Sequence, residues 1–349
     1  MMKIEGKKMA LVFSSLIISI MILFFINLIF ALVNILVWST EGINAIFLGG
    51  NLSENIIYST YFKWIIIADV TWLILALIFG FSRKQYKTNS ELYYLTHKPI
   101  KVPKICVIIP AYNEEPVIEK VVKDYISQKN VDSVFVIDNH SSDNTVKLAE
   151  RCGAIVITKE KNEGYAHSCV IGLKRALETE ANIIALTEAD GTFAGIDLEK
   201  MVPYMENVDM VIGTREIQVL SEKGNQNKTF YVWGNFLLAK LIQIKFFSLQ
   251  HMGVVSLTDV GCSYRCIRRE ALSKIIDQFT HQKTGEVLVK PKSGLFALFM
   301  TITGIKNNLR VVEIPITFKK RIGVSKTESD KNIKAIKYGL EFFWYILSS

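Results

Sequence analysis

Hydrophobic and polar positions divide the chain into an apolar first part and a longer, periodically patterned part. Residues 11–38 contain no charged side chain, and a second apolar segment at about 64–81 is interrupted only by Asp69. The first segment is long enough to cross a hydrocarbon layer of roughly 30 Å with tilt, and it is too long for the core of a signal peptide. The pattern predicts two transmembrane helices that form a hairpin within an N-terminal region of residues 1–100.

Basic residues flank the predicted hairpin, whereas its connecting loop is acidic with Lys63 at its edge. The flanking and loop residues are Lys3, Lys7, Lys8, Arg83, Lys84 and Lys87, and Glu41 and Glu54. The positive-inside rule then predicts that both ends of the hairpin, and everything after residue 82, lie in the cytoplasm. Asp69 is a functional candidate because it is ionisable within a span, but its nearness to Trp64 favours a side chain that reaches the outer interface.

From residue 104 onwards, short runs of strand character alternate with longer amphipathic segments. The predicted strands are 105–109, 134–137, 154–158, 183–186 and 210–212, and the predicted helices are 115–128, 142–152, 165–178 and 197–206. This alternation is typical of an α/β domain in which helices cover both faces of a mostly parallel sheet. We assign residues 101–330 to this domain.

Polar segments follow three of the predicted strands, at 110–115, at 138–145 and at Glu188 and Asp190. In a parallel sheet these segments meet at one edge, where ligands bind. Side chains two apart on a strand point the same way, so the two acids are expected side by side. Paired carboxylates suit a hard divalent cation next to a phosphate; the alternative is a solvated turn, and the convergence of the three segments favours the cation.

The first predicted strand is not followed by G-x-G-x-x-G, and the chain has no G-x-x-x-x-G-K-[ST]. These absences disfavour a dinucleotide-binding enzyme and a phosphate-loop ATPase. A diphosphate would instead be held by the metal, and Asp138 could accept hydrogen bonds from a base N–H or a ribose hydroxyl. Asp143 is expected to cap the following helix.

Composition adds limits on the class of protein. Half of the 349 residues are hydrophobic, the mean hydropathy is +0.26 and the formal net charge is +8, which suits a membrane surface, a nucleic acid or acidic small molecules. No long basic run or zinc-finger spacing supports nucleic acid. The five cysteines form no C-x-x-C pair, which indicates reduced thiols in a cytoplasmic domain.

Ordered motifs resemble the family 2 glycosyltransferases of the GT-A fold. The segments that carry the resemblance are 107–115 (VIIPAYNEE), 136–145 (VIDNHSSDNT), 188–191 (EADG), 211–215 (VIGTR), 259–265 (DVGCSYR), and 313–316 (EIPI) with 321–326 (RIGVSK). The last two resemble the closing motif of the branch that contains dolichol-phosphate mannose synthase. The resemblance covers roughly residues 104–340 and does not identify the sugar.

The resemblance implies roles for individual residues. The nucleotide would be bound by Pro110, Ala111, Tyr112, Glu114, Asp138 and Ala189; Mg²⁺ or Mn²⁺ by Glu188 and Asp190; and the acceptor phosphate by Arg215, Arg321 and Lys326, with Lys228 and Arg265 as further basic candidates. Asp190 is expected to be essential for catalysis. Asp259 would act either as a base or as a residue that holds the loop or a neighbouring arginine. Glu188 stands where aspartate is commonest, and His140 replaces a usual glycine.

The reaction implied by the resemblance moves a sugar from a nucleotide-diphosphate sugar to a polyprenyl phosphate at the cytoplasmic leaflet. Alternatives are transfer to a sugar hydroxyl, a processive polysaccharide synthase, a nucleotidyltransferase and a non-catalytic binding module. The chain lacks Q-x-x-R-W, which disfavours the synthase, and keeps the acid pair, which disfavours the module. The identity of the sugar and the formation of a homo-oligomer are left open.

Three further apolar stretches lie at 236–247, 295–305 and 336–347. They are short for spans and suit helices in the lipid headgroup zone, with ordinary core helices as the alternative. We predict that residues 331–349 form an amphipathic helix next to the membrane.

Overall fold

The computed structural model describes residues 2–49, 60–82, 97–223, 229–246, 255–289, 294–322 and 332–349. These residues belong to two compact units. One comprises Met1–Gln85 with Leu347–Ser349, and the other comprises Tyr86–Ile346.

The first unit contains two long helices that contact each other, α1 (Met2–Leu48) and α2 (Thr60–Ser82). Within the described residues, only Ser15–Leu48 has both the length and the apolar composition to cross a membrane. The second span and the orientation of the hairpin therefore stay predictions. Asn27 of α1 donates a hydrogen bond to Asp69 of α2, so the acid expected at the outer interface has a partner on the neighbouring helix.

Helix α1 continues ten residues beyond the predicted end of the first span. It runs through Glu41, which was expected in the connecting loop. The polar pair Ser39 and Thr40 does not end the helix, because both hydroxyls donate to carbonyl oxygens of the preceding turn, at Ile35 and Val37.

The second unit is built on a seven-stranded sheet in the order β3-β2-β1-β4-β6-β5-β7. The strands are β1 Ile105–Ala111, β2 Val131–Asp138, β3 Ile155–Thr158, β4 Ile183–Leu186, β5 Met210–Thr214, β6 Arg265–Arg268 and β7 Val311–Pro315. Only β6 is antiparallel to its neighbours, β4 and β5. The α/β class and the mostly parallel sheet are confirmed.

All five predicted strands form, and two further strands appear. β6 has the sequence Arg-Cys-Ile-Arg, which carries charges at both ends and therefore gives no apolar run to detect. Its first residue, Arg265, is almost fully buried, and its guanidinium donates to the carbonyls of Cys262 and Ala297 and to the hydroxyl of Thr301. These contacts make Arg265 part of the core, so it is not an acceptor-binding cation.

Four helices match those predicted within the α/β domain, and four more follow. They are α3 Ile118–Ile126, α4 Thr145–Arg151, α5 Tyr165–Ala176, α6 Leu198–Tyr204, α7 Thr229–Lys245, α8 Arg269–Ile275, α9 Phe296–Lys306 and α10 Asn332–Ser348. α3 and α4 each begin three residues later than predicted. The residues before them are held instead by side-chain hydrogen bonds between the two preceding loops, as in the bond from the Glu115 N–H to Asp143.

Helix α9 is a core helix. Every residue from Phe296 to Ile305 is buried, and Phe296 packs against Phe279 with ring centroids 5.7 Å apart. The expectation that 295–305 lies in the headgroup zone is therefore wrong, and the alternative of an ordinary core helix applies. The sequence of an apolar segment of this length does not distinguish a protein core from the lipid headgroup zone, because only the neighbouring groups differ.

Candidate active site

The carboxyl ends of β1, β2, β4 and β5 all lie at one rim of the sheet, because these strands are mutually parallel. β6 runs the opposite way, so its beginning, which follows the loop with Asp259 and Ser263, lies at the same rim. The rim therefore gathers the segments that were predicted separately to bind nucleotide, metal and acceptor.

The first two segments are joined by hydrogen bonds between the loop after β1 and the loop after β2. The Asn113 N–H donates to Ser141 Oγ at 2.9 Å, and its side-chain Oδ1 accepts from the Ser142 N–H at 2.8 Å. The Glu114 N–H donates to Thr145 Oγ1 at 2.8 Å. The two loops thus form one continuous surface at the rim.

Five predicted nucleotide ligands lie on or beside this surface. Pro110 and Ala111 end β1, Tyr112 is half-buried, Glu114 is buried, and Asp138 ends β2 with no exposed surface. Both carboxylate oxygens of Asp138 lie 3.2 Å from the Ser141 backbone nitrogen.

His140 adopts a φ of +67°, in the left-handed region that favours glycine. This backbone conformation explains why glycine is usual at the position of His140 in the family that the sequence resembles. The turn after Asp138 therefore keeps a conformation that suits glycine although the residue is histidine, and His140 Nδ1 lies 3.3 Å from the Lys159 carbonyl oxygen.

The acid pair follows β4, with Ala189 buried between its members. Asp190 is buried; its Oδ1 accepts from the Thr192 N–H at 3.0 Å and the Thr192 hydroxyl at 2.6 Å, and its Oδ2 lies 2.9 Å from Arg321 Nη2. Glu188 Oε1 accepts from the Ser263 hydroxyl at 2.6 Å. Gly191, with a φ of +76°, turns the chain directly after the pair.

The two acids interact strongly. Burial, and then the charge of Asp190, raise the pKa of Glu188 to about 7, although Ser263, Arg321 and Arg215 favour the ionised form. Two carboxylates that share a site in this way have an excess of negative charge that a divalent cation would neutralise. The donor set thus fits Mg²⁺ or Mn²⁺. The described residues contain no cluster of three or more metal-ligating side chains, so a substrate diphosphate or water would complete the coordination.

The opposite side of the rim is built around an arginine. Arg215 follows β5 and makes two parallel contacts with Asp259, from Nε at 2.6 Å and from Nη2 at 2.7 Å. Its guanidinium carbon lies 5.5 Å from the centroid of the Phe318 ring. Burial alone would raise the pKa of Asp259, but Arg215 and the Gly261 N–H hold that pKa below its usual value.

The loop that carries Asp259 is held in turn by Glu313 of β7. The Glu313 carboxylate accepts from the backbone N–H of Thr258 at 2.7 Å and of Asp259 at 2.9 Å, and from the Thr258 hydroxyl at 2.7 Å. The sequence placed Glu313 in a motif without assigning it a role. Ser263, which donates to Glu188, likewise belongs to a motif and had no predicted role of its own.

The remaining predicted residues divide as follows. Arg321, expected at the acceptor phosphate, pairs with Asp190. Both oxygens of Asp259 accept hydrogen bonds, from Arg215 and Gly261, which favours the arginine-holding role over that of a base. Lys326 and Lys228 lie outside the described residues.

Residues 106–276 match the family described as Glycosyl transferase family 2. Protein RfbJ from Shigella flexneri is 32% identical over 126 residues, which are 35% of this chain and 90% of that protein. The chain belongs to glycosyl transferase family 2. It is therefore a glycosyltransferase, as its motifs implied.

Two further relatives of this glycosyltransferase carry names that describe an activity. The UDP-N-acetylglucosamine–dolichyl-phosphate N-acetylglucosaminyltransferase of Methanococcus voltae is 28% identical over 234 residues, which are 61% of this chain and 84% of that protein. The polyprenol monophosphomannose synthase of Mycolicibacterium smegmatis is 27% identical over 236 residues, which are 65% of this chain and 82% of that protein. These relatives support the resemblance to the branch that uses polyprenyl phosphates.

Proposed function

We propose that this glycosyltransferase transfers a sugar from a nucleotide-diphosphate sugar to a polyprenyl phosphate in the membrane. The observation that carries the proposal is that a pair of acids and an arginine lie at the same rim of the sheet. The acid pair Glu188 and Asp190 suits a metal-bound diphosphate, and Arg215, held by buried Asp259, suits a phosphate. The Methanococcus relative is named for a UDP-sugar and dolichyl phosphate, which agrees with both halves, and the Mycolicibacterium relative is named for polyprenol monophosphomannose, which agrees with the acceptor half.

The donor would lie on the surface formed by the loops after β1 and β2. Asp138, which ends β2 at the rim, would accept from a base N–H or a ribose hydroxyl in addition to the Ser141 N–H. Pro110, Ala111, Tyr112, Glu114 and Ala189 would line the same nucleotide site.

Glu188 and Asp190 would hold Mg²⁺ or Mn²⁺ beside the diphosphate. A bound divalent cation supplies charge neutralisation for a departing nucleoside diphosphate. Binding at Asp190 would require Arg321 to share or release Oδ2, which it contacts at 2.9 Å. Arg321 is thereby available to an anionic substrate at the same place.

The chemical step would be a single displacement at the anomeric carbon. An acceptor phosphate oxygen forms the new bond to that carbon as the bond to the diphosphate oxygen breaks, and the configuration inverts. The attacking oxygen is already anionic, so no proton has to be removed. Arg215 would orient the phosphate bidentately, and Asp259 would hold Arg215 in place.

Two helices of the second unit have apolar side chains on their outer faces. In α10, Ile336, Leu340 and Trp344 are spaced four apart and are 50%, 62% and 61% exposed; in α7, Trp233 and Leu237 are 61% and 53% exposed. Such stripes suit the boundary between headgroups and acyl chains. With the hairpin of α1 and α2 they would keep the enzyme at the cytoplasmic leaflet, where its acceptor lies.

The test is an assay of membranes that contain the full chain with labelled nucleotide sugars and a polyprenyl phosphate. We expect label in an acid-labile lipid, loss of the signal with EDTA, and recovery when Mn²⁺ or Mg²⁺ is added in excess. Membranes that contain the Asp190→Asn variant are the control for other transferases. Label in a polymer would indicate a synthase, and nucleotide binding without transfer would indicate a binding module; either result contradicts the proposal.

A further inference from the structure

Glu216 is a carboxyl on the acceptor side of the rim that none of the roles above uses. It directly follows Arg215, and its backbone N–H donates to Thr214 Oγ1 at 3.3 Å. Its side-chain Oε1 accepts from Asn235 Nδ2 of α7 at 3.3 Å. The other oxygen, Oε2, is buried and has no hydrogen-bond partner among the described residues.

Among the described residues, Glu216 forms no ion pair. The charged groups that face it are Asp259 from the loop before β6, Glu313 from β7 and Arg215 from its own segment. Arg215 is already engaged bidentately with Asp259, and Asn235 of α7 contributes an uncharged amide. Burial, followed by the charge of Asp259, raises the pKa of Glu216 to about 7.

Glu216 and Arg215 belong to the same small cluster. A Cβ added at Gly261 would lie 3.1 Å from Arg215 Nη2 and 3.6 Å from Asn235 Oδ1, so the guanidinium and the amide partner of Glu216 meet over this glycine. Because Asn235 also donates to Glu216, a phosphate bound by Arg215 would lie near the Glu216 carboxyl.

The two forms of Glu216 would treat that phosphate differently. The ionised form repels a phosphate dianion, because like charges in a poorly solvated site disfavour each other. The acid form has one O–H donor on an oxygen that lacks a protein acceptor, and an anionic phosphate oxygen is the strongest acceptor that could satisfy it.

We propose that Glu216 is a positioning residue of the acceptor site, which in its carboxylic-acid form donates the Oε2 hydrogen to an oxygen of the phosphate held by Arg215. This inference rests on the proposed transfer to a lipid phosphate. Acceptor binding is then coupled to retention of a proton on Glu216. The fraction of enzyme with protonated Glu216 falls as the pH rises above 7, and well above that pH it falls tenfold per pH unit. The affinity for the acceptor falls with this fraction.

The test is the pH dependence of the acceptor KM between pH 7 and 9, with donor and metal saturating. The phosphate is already a dianion in this range, because its second pKa is about 6. For the wild-type enzyme we expect the acceptor KM to rise by about tenfold per pH unit towards pH 9 while the donor KM lacks this rise. Glu216→Gln keeps a donor group and cannot ionise, so its acceptor KM should lack the rise and be at least about tenfold lower than wild type at pH 9.

Glu199→Gln is the matched control, because Glu199 is an exposed glutamate on α6. It should keep the wild-type profile. The inference is overturned if Glu216→Gln keeps the wild-type slope, or if it folds with normal donor binding and loses transfer at every pH, which would mean that the carboxylate is required. A wild-type enzyme that does not glycosylate polyprenyl phosphate at all would overturn the proposed function, and this inference with it.

Asn235→Leu provides an independent variant if Glu216→Gln does not fold. The Asn235 hydrogen bond favours ionised Glu216, so its removal should raise the pKa of Glu216 further. The increase in acceptor KM should then begin at a higher pH than in the wild-type enzyme. An unchanged profile, or a shift to lower pH, would overturn the inference.

Discussion

Two parts of the rim, the proposed donor side with Glu188 and Asp190 and the proposed acceptor side with Arg215 and Asp259, differ in how the charge of these acids is compensated. On the donor side, burial and then the charge of Asp190 raise the pKa of Glu188 to about 7. On the acceptor side, Asp259 is paired with Arg215 and its pKa is lowered. The first arrangement would be stabilised by an added cation, whereas in the second the charge of Asp259 is already balanced by Arg215.

This difference indicates that the charge of a ligand can be inferred from the hydrogen bonds that the carboxylates of its site make. Each carboxylate oxygen that the protein satisfies strongly is committed to structure, as in Asp259 and Glu313. We expect a ligand to contribute where an acid is buried beside another acid or has an oxygen without a partner.

Replacing Asp190 by Asn should have the largest effect. It removes one of the two charges that would bind the cation, and loss of that electrostatic support should lower kcat by about 10³-fold. The measurement is sugar transfer in membranes at saturating donor, acceptor and Mn²⁺. Asp132→Asn, at an exposed position near the start of β2, is the control and should transfer at the wild-type rate. A kcat of the Asp190→Asn variant within tenfold of the wild-type value would mean that Asp190 is not required for metal binding.

Replacing Arg215 by Ala should act on the acceptor rather than on the donor. Loss of charge-assisted hydrogen bonds worth about 1.5–3 kcal/mol should raise the acceptor KM by about 10–100-fold. The donor KM should change much less. Arg175→Ala, which removes an exposed arginine on α5, is the matched control. A change confined to the donor KM would mean that Arg215 acts on the nucleotide sugar and not on the acceptor phosphate.

Asp259→Asn separates the two roles considered for that acid. If Asp259 holds Arg215, the variant raises the acceptor KM as Arg215→Ala does, and breaking the buried pair lowers the free energy of unfolding by about 3 kcal/mol. If Asp259 is a base, kcat falls while the acceptor KM is unchanged. Steady-state kinetics and thermal unfolding of the detergent-solubilised protein distinguish these outcomes.

Glu188→Gln should stabilise the metal-free protein at high pH. The pKa of Glu188 is raised in the folded state, so the wild-type protein has its full stability below pH 4.5 and loses some of it as the pH rises through 7. In EDTA, the variant should be more stable than wild type by about 2 kcal/mol at pH 8, and by much less at pH 5. Saturating Mn²⁺ should stabilise the wild-type protein more than the variant. An advantage that does not depend on pH would mean that the pKa of Glu188 is not raised in the folded protein.

His140→Gly should have the smallest effect. Glycine removes the cost of the left-handed backbone but gains freedom in the unfolded chain, so the two changes nearly cancel to within about 0.5 kcal/mol. His140→Val should lower the free energy of unfolding by about 1–2 kcal/mol, because a β-branched side chain fits this φ poorly. Thermal unfolding with and without nucleotide measures both. A large loss in the glycine variant would reveal a direct role for the imidazole.

Regular patterns made much of the fold predictable. Strands β1, β4 and β5 are runs of buried residues, β2 is buried from Val134 onwards and β3 is a half-exposed edge strand. The alternation of these strands with amphipathic helices indicated a parallel sheet. β6 could not be found in this way, because Arg265 is a buried charge satisfied by carbonyls from the preceding loop and α9. The same applies to α9, whose apolar sequence suits a protein core and a membrane surface equally.

The sequence predicted which residues form the site more completely than it predicted which of them contact one another. Spacing alone placed Glu188 and Asp190 at a strand end. It could not assign Arg321 to Asp190, because the two residues are 131 positions apart and meet only through the packing of the segment before residue 322 onto the loop after β4.

The order of residues along the chain determined the α/β class, the rim on which the polar segments meet and the family to which the enzyme belongs. These follow from periodicity and from short motifs, in which neighbouring positions constrain one another locally. Only the tertiary structure decided which charges are neutralised: Asp259 by Arg215, Asp190 in part by Arg321, and Glu216 by no ion pair among the described residues. Charge compensation depends on distances of a few ångströms between distant parts of the chain, and those distances are set by packing rather than by local sequence.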